Sequence, residues 1–147
     1  MGRDIWDGPD NVRMPLGDPH GGEFTYTDEG LPVTVSAVTI PSTDLVATAE
    51  FYYDMLGFQV IESHSDRLYM GRGDIVIVFE LKEKAGIDTG IFFGVDNPYD
   101  LHRRLIDEGV VFVRDPMNSP IGVYTSFRDC DGNVINAVDR LGKVVKK

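Results

Sequence analysis

The sequence contains few of the residue types that would identify several common functions. Cys130 is the only cysteine in 147 residues, which excludes an internal disulfide and a thiolate metal cluster. The 14 basic residues are outnumbered by 24 acidic ones, giving a net charge of −10, and this argues against nucleic-acid binding because affinity for phosphate backbones depends on basic side chains. No apolar run approaches the ~20 residues of a membrane helix. We therefore expect a soluble, cytoplasmic protein with no nucleic-acid or membrane partner.

The lone cysteine and the acidic surplus each allow two interpretations. Asp129 and Asp131 flank Cys130, so its thiolate should be disfavoured and a nucleophilic role is not expected. The acidity favours cationic ligands in principle, but it equally serves to keep a cytosolic protein soluble.

The chain divides into three parts by its pattern. Residues 1–31 are rich in glycine and proline and have no sustained period of 2 or 3.6, which predicts an irregular N-terminal arm. Its apolar side chains indicate that it packs on the body or on a partner subunit. Residues 32–141 have the composition of one domain, and residues 142–147 form a basic tail.

An internal duplication runs through the domain. The segment VTVSAVTI predicts a strand ended by Pro41, and a helix then starts at Thr43 or Asp44 and stops at Gly57. Three further strands follow, after which the order repeats with a helix whose N-terminus is at Asp96-Asn97, with Pro98 near its first turn. The repeat separation of about 52 residues predicts two βαβββ modules, at about 33–84 and 88–140.

The two modules predict the fold class. Neither half can bury both faces of its sheet alone, which favours an α+β domain in which they form a curved, mostly antiparallel sheet around a cleft, with the helices outside.

Two segments of the sequence resemble the vicinal oxygen chelate superfamily. They are VTIPSTDLVATAEFYYDMLGF and FRDCDGNVINAV, and the resemblance covers Val33 to Arg140. The superfamily includes glyoxalase I, bleomycin resistance proteins and extradiol dioxygenases. The resemblance implies a cleft between modules and a homodimer, but it does not fix a reaction, since one fold hosts lyases, isomerases, dioxygenases and pure binders.

Catalytic members of that superfamily hold a divalent metal with His and Glu ligands. The resemblance places the ligand positions at Ala37, Gly90 and Asn136 in this chain. A divalent ion needs several carboxylate or imidazole donors, and these three residues supply none. We therefore expect no cofactor, and a metal site is disfavoured.

The remaining candidates for a metal ligand are one carboxylate and three histidines. Glu80 is a weak candidate, because strict alternation counted from the preceding turn puts it on the opposite sheet face from Asn136. His20, His64 and His102 are all predicted to be ordinary exposed histidines.

Without ligands for a metal, the cleft is expected to bind a small cationic or aromatic molecule. For the aromatic residues the alternative is core filling, and for Asn136 it is a hydrogen bond to a neighbouring backbone group. Alternation along the strands predicts that the cleft is lined by Val35, Ala37, Thr39, Phe92, Val134 and Asn136, and Tyr69 and Tyr124 are expected as additional walls from neighbouring strands.

Three functions remain open from the sequence. The leading hypothesis is a binding protein that sequesters a small molecule without a metal. The second is a lyase, isomerase or dioxygenase with a shifted metal site, or an enzyme that uses Glu80 alone for acid–base chemistry. The third is an interaction protein whose cleft is filled by the N-terminal arm, with Trp6, Phe24 and Tyr26 as anchors.

Overall fold

One order of elements occurs twice in residues 30–140, the part of the chain that the computed structural model describes. The predicted arm, apart from Gly30 and Leu31, and the basic tail lie outside these residues. The first module consists of β1 Val38–Ser42, α1 Leu45–Leu56, β2 Gln59–Ser63, β3 Arg67–Arg72 and β4 Ile75–Leu81. The second consists of β5 Asp88–Val95, α2 Pro98–Asp107, β6 Phe112–Met117, β7 Tyr124–Arg128 and β8 Val134–Asp139. Neither helix is long and apolar enough to cross a membrane.

Each module forms its own four-stranded sheet. The strand order is β1-β4-β3-β2 in the first sheet and β5-β8-β7-β6 in the second. In each sheet the first pair is parallel and the other two pairs are antiparallel. The parallel pair requires a long crossover, which the helix and the two intervening strands provide. The predicted α+β class with two βαβββ modules is confirmed.

Both helices begin at a capping side chain that the sequence predicted. The Asp44 carboxylate accepts hydrogen bonds from the backbone N–H groups two and three residues further along α1, both at 3.1 Å. The Asn97 side-chain oxygen accepts from the corresponding N–H groups of α2, at 2.9 and 3.3 Å. Gly57 ends α1 with a φ of 77°, a left-handed conformation that glycine adopts without strain.

The first strand differs from its prediction. The structure places β1 at Val38–Ser42, so that Pro41 lies inside the strand instead of ending it. Because β1 is an edge strand, the missing N–H of Pro41 breaks no central ladder. Val35 and Ala37 consequently precede the strand and are exposed.

The helices cover one face of each sheet and leave the other face open. In the first module the ring of Tyr52 lies 4.6 Å from that of Phe79, and in the second α2 packs on β6, β7 and β8. Phe58 and Phe93, 5.7 Å apart, join the two apolar layers. The faces away from the helices are therefore where side chains remain available for a ligand.

Candidate functional site

The turn Asp129–Asn133 is fixed by the carboxylate of Asp129. Its Oδ1 accepts from the backbone N–H groups of Asp131 and Asn133, at 2.9 and 3.0 Å. Its Oδ2 accepts from the Tyr52 hydroxyl at 2.7 Å and from the Asn133 side-chain amide at 3.0 Å. Burial raises the pKa of the Tyr52 hydroxyl well above its usual value, and the adjacent Asp129 charge raises it further.

Asn133 extends this turn into a connection between the modules. The fully buried side chain accepts from the backbone N–H groups of Gly86 and Ile87 at 2.8 and 3.0 Å. Its amide nitrogen also donates to the carbonyl of Pro41 in β1, at 3.0 Å. We refer to the turn Asp129–Asn133 as the inter-module latch, because it binds the first module and starts the strand that carries Asn136.

The candidate site lies on the face of the second sheet that points away from α2, which we call the open face. Cross-strand pairing arranges its centre in two adjacent rows. The front row is Phe92, Asn136, Ser126 and Arg114, and the second row is Gly94, Val138, Tyr124 and Met117.

A continuous chain of hydrogen bonds crosses the front row. Arg114 Nη1 donates to Ser126 Oγ at 2.9 Å, and this hydroxyl donates to Asn136 Oδ1 at 2.5 Å. Asn136 Nδ2 then donates to the carbonyl of Ile91 at 3.0 Å. Both ends of the buried Asn136 amide therefore have partners, one of them the neighbouring backbone group that the sequence analysis offered as an alternative.

Two aromatic rings stand beside this polar row. The ring centroids of Phe92 and Tyr124 are 5.6 Å apart, and the guanidinium carbon of Arg114 lies 5.2 Å from the Tyr124 centroid. Phe92 is 45% exposed, so it does not fill the core. The face therefore combines an exposed ring, a half-buried ring and a fixed cation.

The other predicted lining residues lie outside the two central rows. Val134 is half-buried at the beginning of β8, on the same face as Asn136 and in the cross-strand row next to the front row, where it pairs with Arg128. Thr39 and Tyr69 share a cross-strand row with Val78 in the first sheet. Of the eight residues predicted to line one cleft, the open face brings together Phe92, Tyr124, Val134 and Asn136.

The structure adds two site residues that the sequence analysis missed, Ser126 and Arg114. Ser126 pairs with Asn136 across the hairpin, and alternation from the apolar Phe127 could have identified it. Arg114 could not be found in this way, because the register between β6 and β7 shifts on both sides of it.

The three expected metal positions do not fit a divalent ion. Ala37 precedes β1 and has no donor atom. Gly90 has a φ of +71°, a conformation that would strain any ligand-bearing residue placed there. The Asn136 amide is committed to Ser126 and the Ile91 carbonyl. Among residues 30–140, no three His, Cys, Asp or Glu side chains are grouped to hold a metal.

The sheet face predicted for Glu80 was wrong. Its neighbour Phe79 is fully buried under α1, so Glu80 points away from the helix, as Asn136 does in its own sheet. The prediction counted residues from the turn that precedes each strand. The turn before β4 has only two residues, Gly73 and Asp74, and is shorter than the latch that precedes β8, so equal counts do not reach equivalent positions. Glu80 Oε1 lies 3.7 Å from Lys82 Nζ, which makes it an ordinary strand carboxylate with a cationic neighbour.

The histidines agree only in part with the prediction that all are exposed. His64 is exposed, and its Nε2 lies 2.7 Å from Glu62. His102 is half-buried instead, because its ring packs edge-on against Phe112 with centroids 4.6 Å apart, and its Nε2 lies 3.1 Å from Asp115 Oδ1. His20 lies outside the described residues.

The environment of Cys130 agrees with its predicted inertness. Burial raises the pKa of the thiol, and the flanking Asp129 and Asp131 charges raise it further. A hydrogen-bonding contact of 3.8 Å to the Thr48 hydroxyl acts in the opposite direction. The thiol is therefore poorly suited to act as a nucleophile.

A cavity of about 340 Å³ lies on the other side of the second sheet. It is bounded by the end of α1 at Gly57, by Phe58 and Phe93, and by Leu101 and Arg104 of α2. Because Phe93 belongs to the helix-covered layer, this cavity is separate from the open face.

Comparisons with known proteins agree on the fold. The family model for the Glyoxalase/Bleomycin resistance protein/Dioxygenase superfamily matches residues 34–137. No curated protein matches the chain.

Three solved structures illustrate the likeness. UcmS2 is 26% identical over 74% of this chain and 99% of its own, with a TM-score of 0.63. TnmS3, an antibiotic-binding protein from Streptomyces sp. CB03234, is 22% identical over 74% and 96%, with a TM-score of 0.61. The bleomycin-binding protein from Streptomyces verticillus, solved with copper(II)-bleomycin, is 23% identical over 74% and 98%, also with a TM-score of 0.61. The chain therefore belongs to the Glyoxalase/Bleomycin resistance protein/Dioxygenase superfamily.

Proposed function

We propose that this protein binds and sequesters a small molecule with an aromatic part, on the open face of the second sheet and without a metal ion. The observation that carries the proposal is the exposed Phe92 ring beside Tyr124, next to a row of hydrogen-bonded polar side chains. Aromatic walls with a few fixed polar groups are the usual composition of a small-molecule site.

Binding is favoured over catalysis by the chemistry of the open face. In its two central rows Arg114 is the only charged residue. A guanidinium stays protonated in proteins and cannot serve as a general base. The relatives that bind bleomycin or another antibiotic support a sequestering role by analogy of fold.

The two alternatives have less support. A metal-dependent enzyme with a shifted site would rest on Glu80, a single carboxylate beside Lys82. The interaction protein would depend on Trp6, Phe24 and Tyr26, which lie outside the described residues.

We also propose that the protein acts as a cytoplasmic homodimer. Phe92 and Met117, two large apolar side chains of the open face, are 45% and 48% exposed. Apolar surface of this kind favours coverage by a ligand or by a second copy of the chain. The two-module fold of this superfamily supports the same arrangement by resemblance.

Metal independence gives the first prediction. The probes are bleomycin, metal-free or copper(II)-loaded, and the uncharged 2-naphthalenemethanol. We expect their dissociation constants, measured by isothermal titration calorimetry, to change less than about twofold after the protein is dialysed against EDTA. The control is the metal content of the untreated protein, measured by mass spectrometry. Stoichiometric metal whose removal abolishes binding would contradict the proposal, and so would absence of binding by every probe.

A further inference from the structure

No carboxylate within residues 30–140 neutralises the charge of Arg114. The guanidinium contacts the Ser126 hydroxyl and the Tyr124 ring. The adjacent Asp115 contacts His102 of α2 and does not compensate it. A guanidinium without a carboxylate partner, at the end of the front row on the edge strand β6, is suited to bind an anion.

We infer that the ligand is a planar aromatic acid whose anionic group binds Arg114 while its ring packs on Phe92 and Tyr124. This inference rests on the proposed function and names the ligand class for that same face. The overall charge of −10 favoured a cationic ligand. At contact distance, however, the charge closest to the ligand dominates, and on the open face that charge is the Arg114 guanidinium.

The guanidinium is held in place before any ligand arrives. Ser126 is completely buried, and its hydroxyl is oriented by Asn136, so the acceptor for Arg114 Nη1 has a fixed position. The Tyr124 ring supports the guanidinium plane from one side, at 5.2 Å. Less conformational freedom is then lost when an anion binds, which raises affinity.

The donors left over match a carboxylate. A guanidinium has five N–H groups in a rigid fork, and only Nη1 of Arg114 is bonded to another side chain among the described residues. A carboxylate accepts two parallel hydrogen bonds from such a fork, whereas an alcohol accepts one weaker bond and an ammonium group is repelled.

A series of three probes of one shape tests the inference. They are 2-naphthoate, 2-naphthalenemethanol and 2-naphthylmethylammonium, each titrated calorimetrically into the full chain. We expect the wild type to bind naphthoate at least about tenfold more tightly than the alcohol, and the ammonium probe most weakly. Arg114→Gln should abolish this preference by weakening naphthoate binding about tenfold while leaving the alcohol unchanged, and Arg114→Lys should retain part of it.

The matched control is Arg103→Gln, an exposed arginine of α2 paired with Asp100, which should leave all three affinities unchanged. Unfolding midpoints of the variants show that each one is folded. If the alcohol binds but naphthoate has no advantage, or keeps its advantage in Arg114→Gln, the inference is wrong and the proposed function stands. If none of the three probes binds the folded wild type, the inference is wrong, and the proposed function is wrong as well if bleomycin also fails to bind.

Discussion

Replacing Asn133 with alanine is expected to lower the free energy of unfolding by about 3–4 kcal/mol. The side chain is completely buried and makes four hydrogen bonds, to the Gly86 and Ile87 N–H groups, the Pro41 carbonyl and the Asp129 carboxylate. Alanine removes a completely buried side chain and all four of its bonds, and the buried Asp129 carboxylate loses a partner where the desolvation penalty is greatest.

The matched comparison is Asn97→Ala. Asn97 also bonds two backbone N–H groups, but it caps the exposed start of α2, where water can replace it, so a loss of about 1 kcal/mol is expected. Both variants are measured by urea denaturation against the wild type. Equal losses for the two substitutions would show that the latch does not hold the modules together.

Replacing Tyr124 with alanine is expected to weaken 2-naphthoate binding by about 30-fold. The ring has two roles on the open face: it forms the aromatic pair with Phe92, and it supports the Arg114 guanidinium. Its removal takes away ligand contact area and at the same time frees the cation, so the loss should exceed that of Arg114→Gln.

Tyr99→Ala is the control for this substitution. Tyr99 is 55% exposed on α2, and its removal should leave naphthoate affinity unchanged. Titration calorimetry on both variants, with unfolding midpoints to show that they are folded, provides the measurement. An unchanged affinity in Tyr124→Ala would place the ligand elsewhere.

Local chemistry made much of the fold predictable. The helix caps Asp44 and Asn97 and the turn residue Gly57 are determined by neighbours within a few positions, and the structure confirms all three. The contacts of the latch were not predicted, because Tyr52 and Pro41 are brought to it by tertiary packing. Such long-range partners have no local signal in a single sequence.

The same distinction explains the candidate site. Alternation along regular strands placed Phe92 and Asn136 on one face, and Tyr124 was expected beside them from a neighbouring strand. It failed for Arg114, where β6 is irregular, and for Glu80, where the preceding turn was shorter than its counterpart. Register shifts move every later side chain to the other face, so one irregularity is enough to hide a site residue.

The central claim is that the open face of the second sheet binds the ligand, and nuclear magnetic resonance locates binding residue by residue. In a titration of ¹⁵N-labelled protein with 2-naphthoate, we expect the largest amide shift changes at Phe92, Tyr124 and Asn136, together with a change at the Arg114 side chain. If the largest changes instead occur at Gly57 and Leu101, which border the cavity on the other side of the sheet, the account is contradicted.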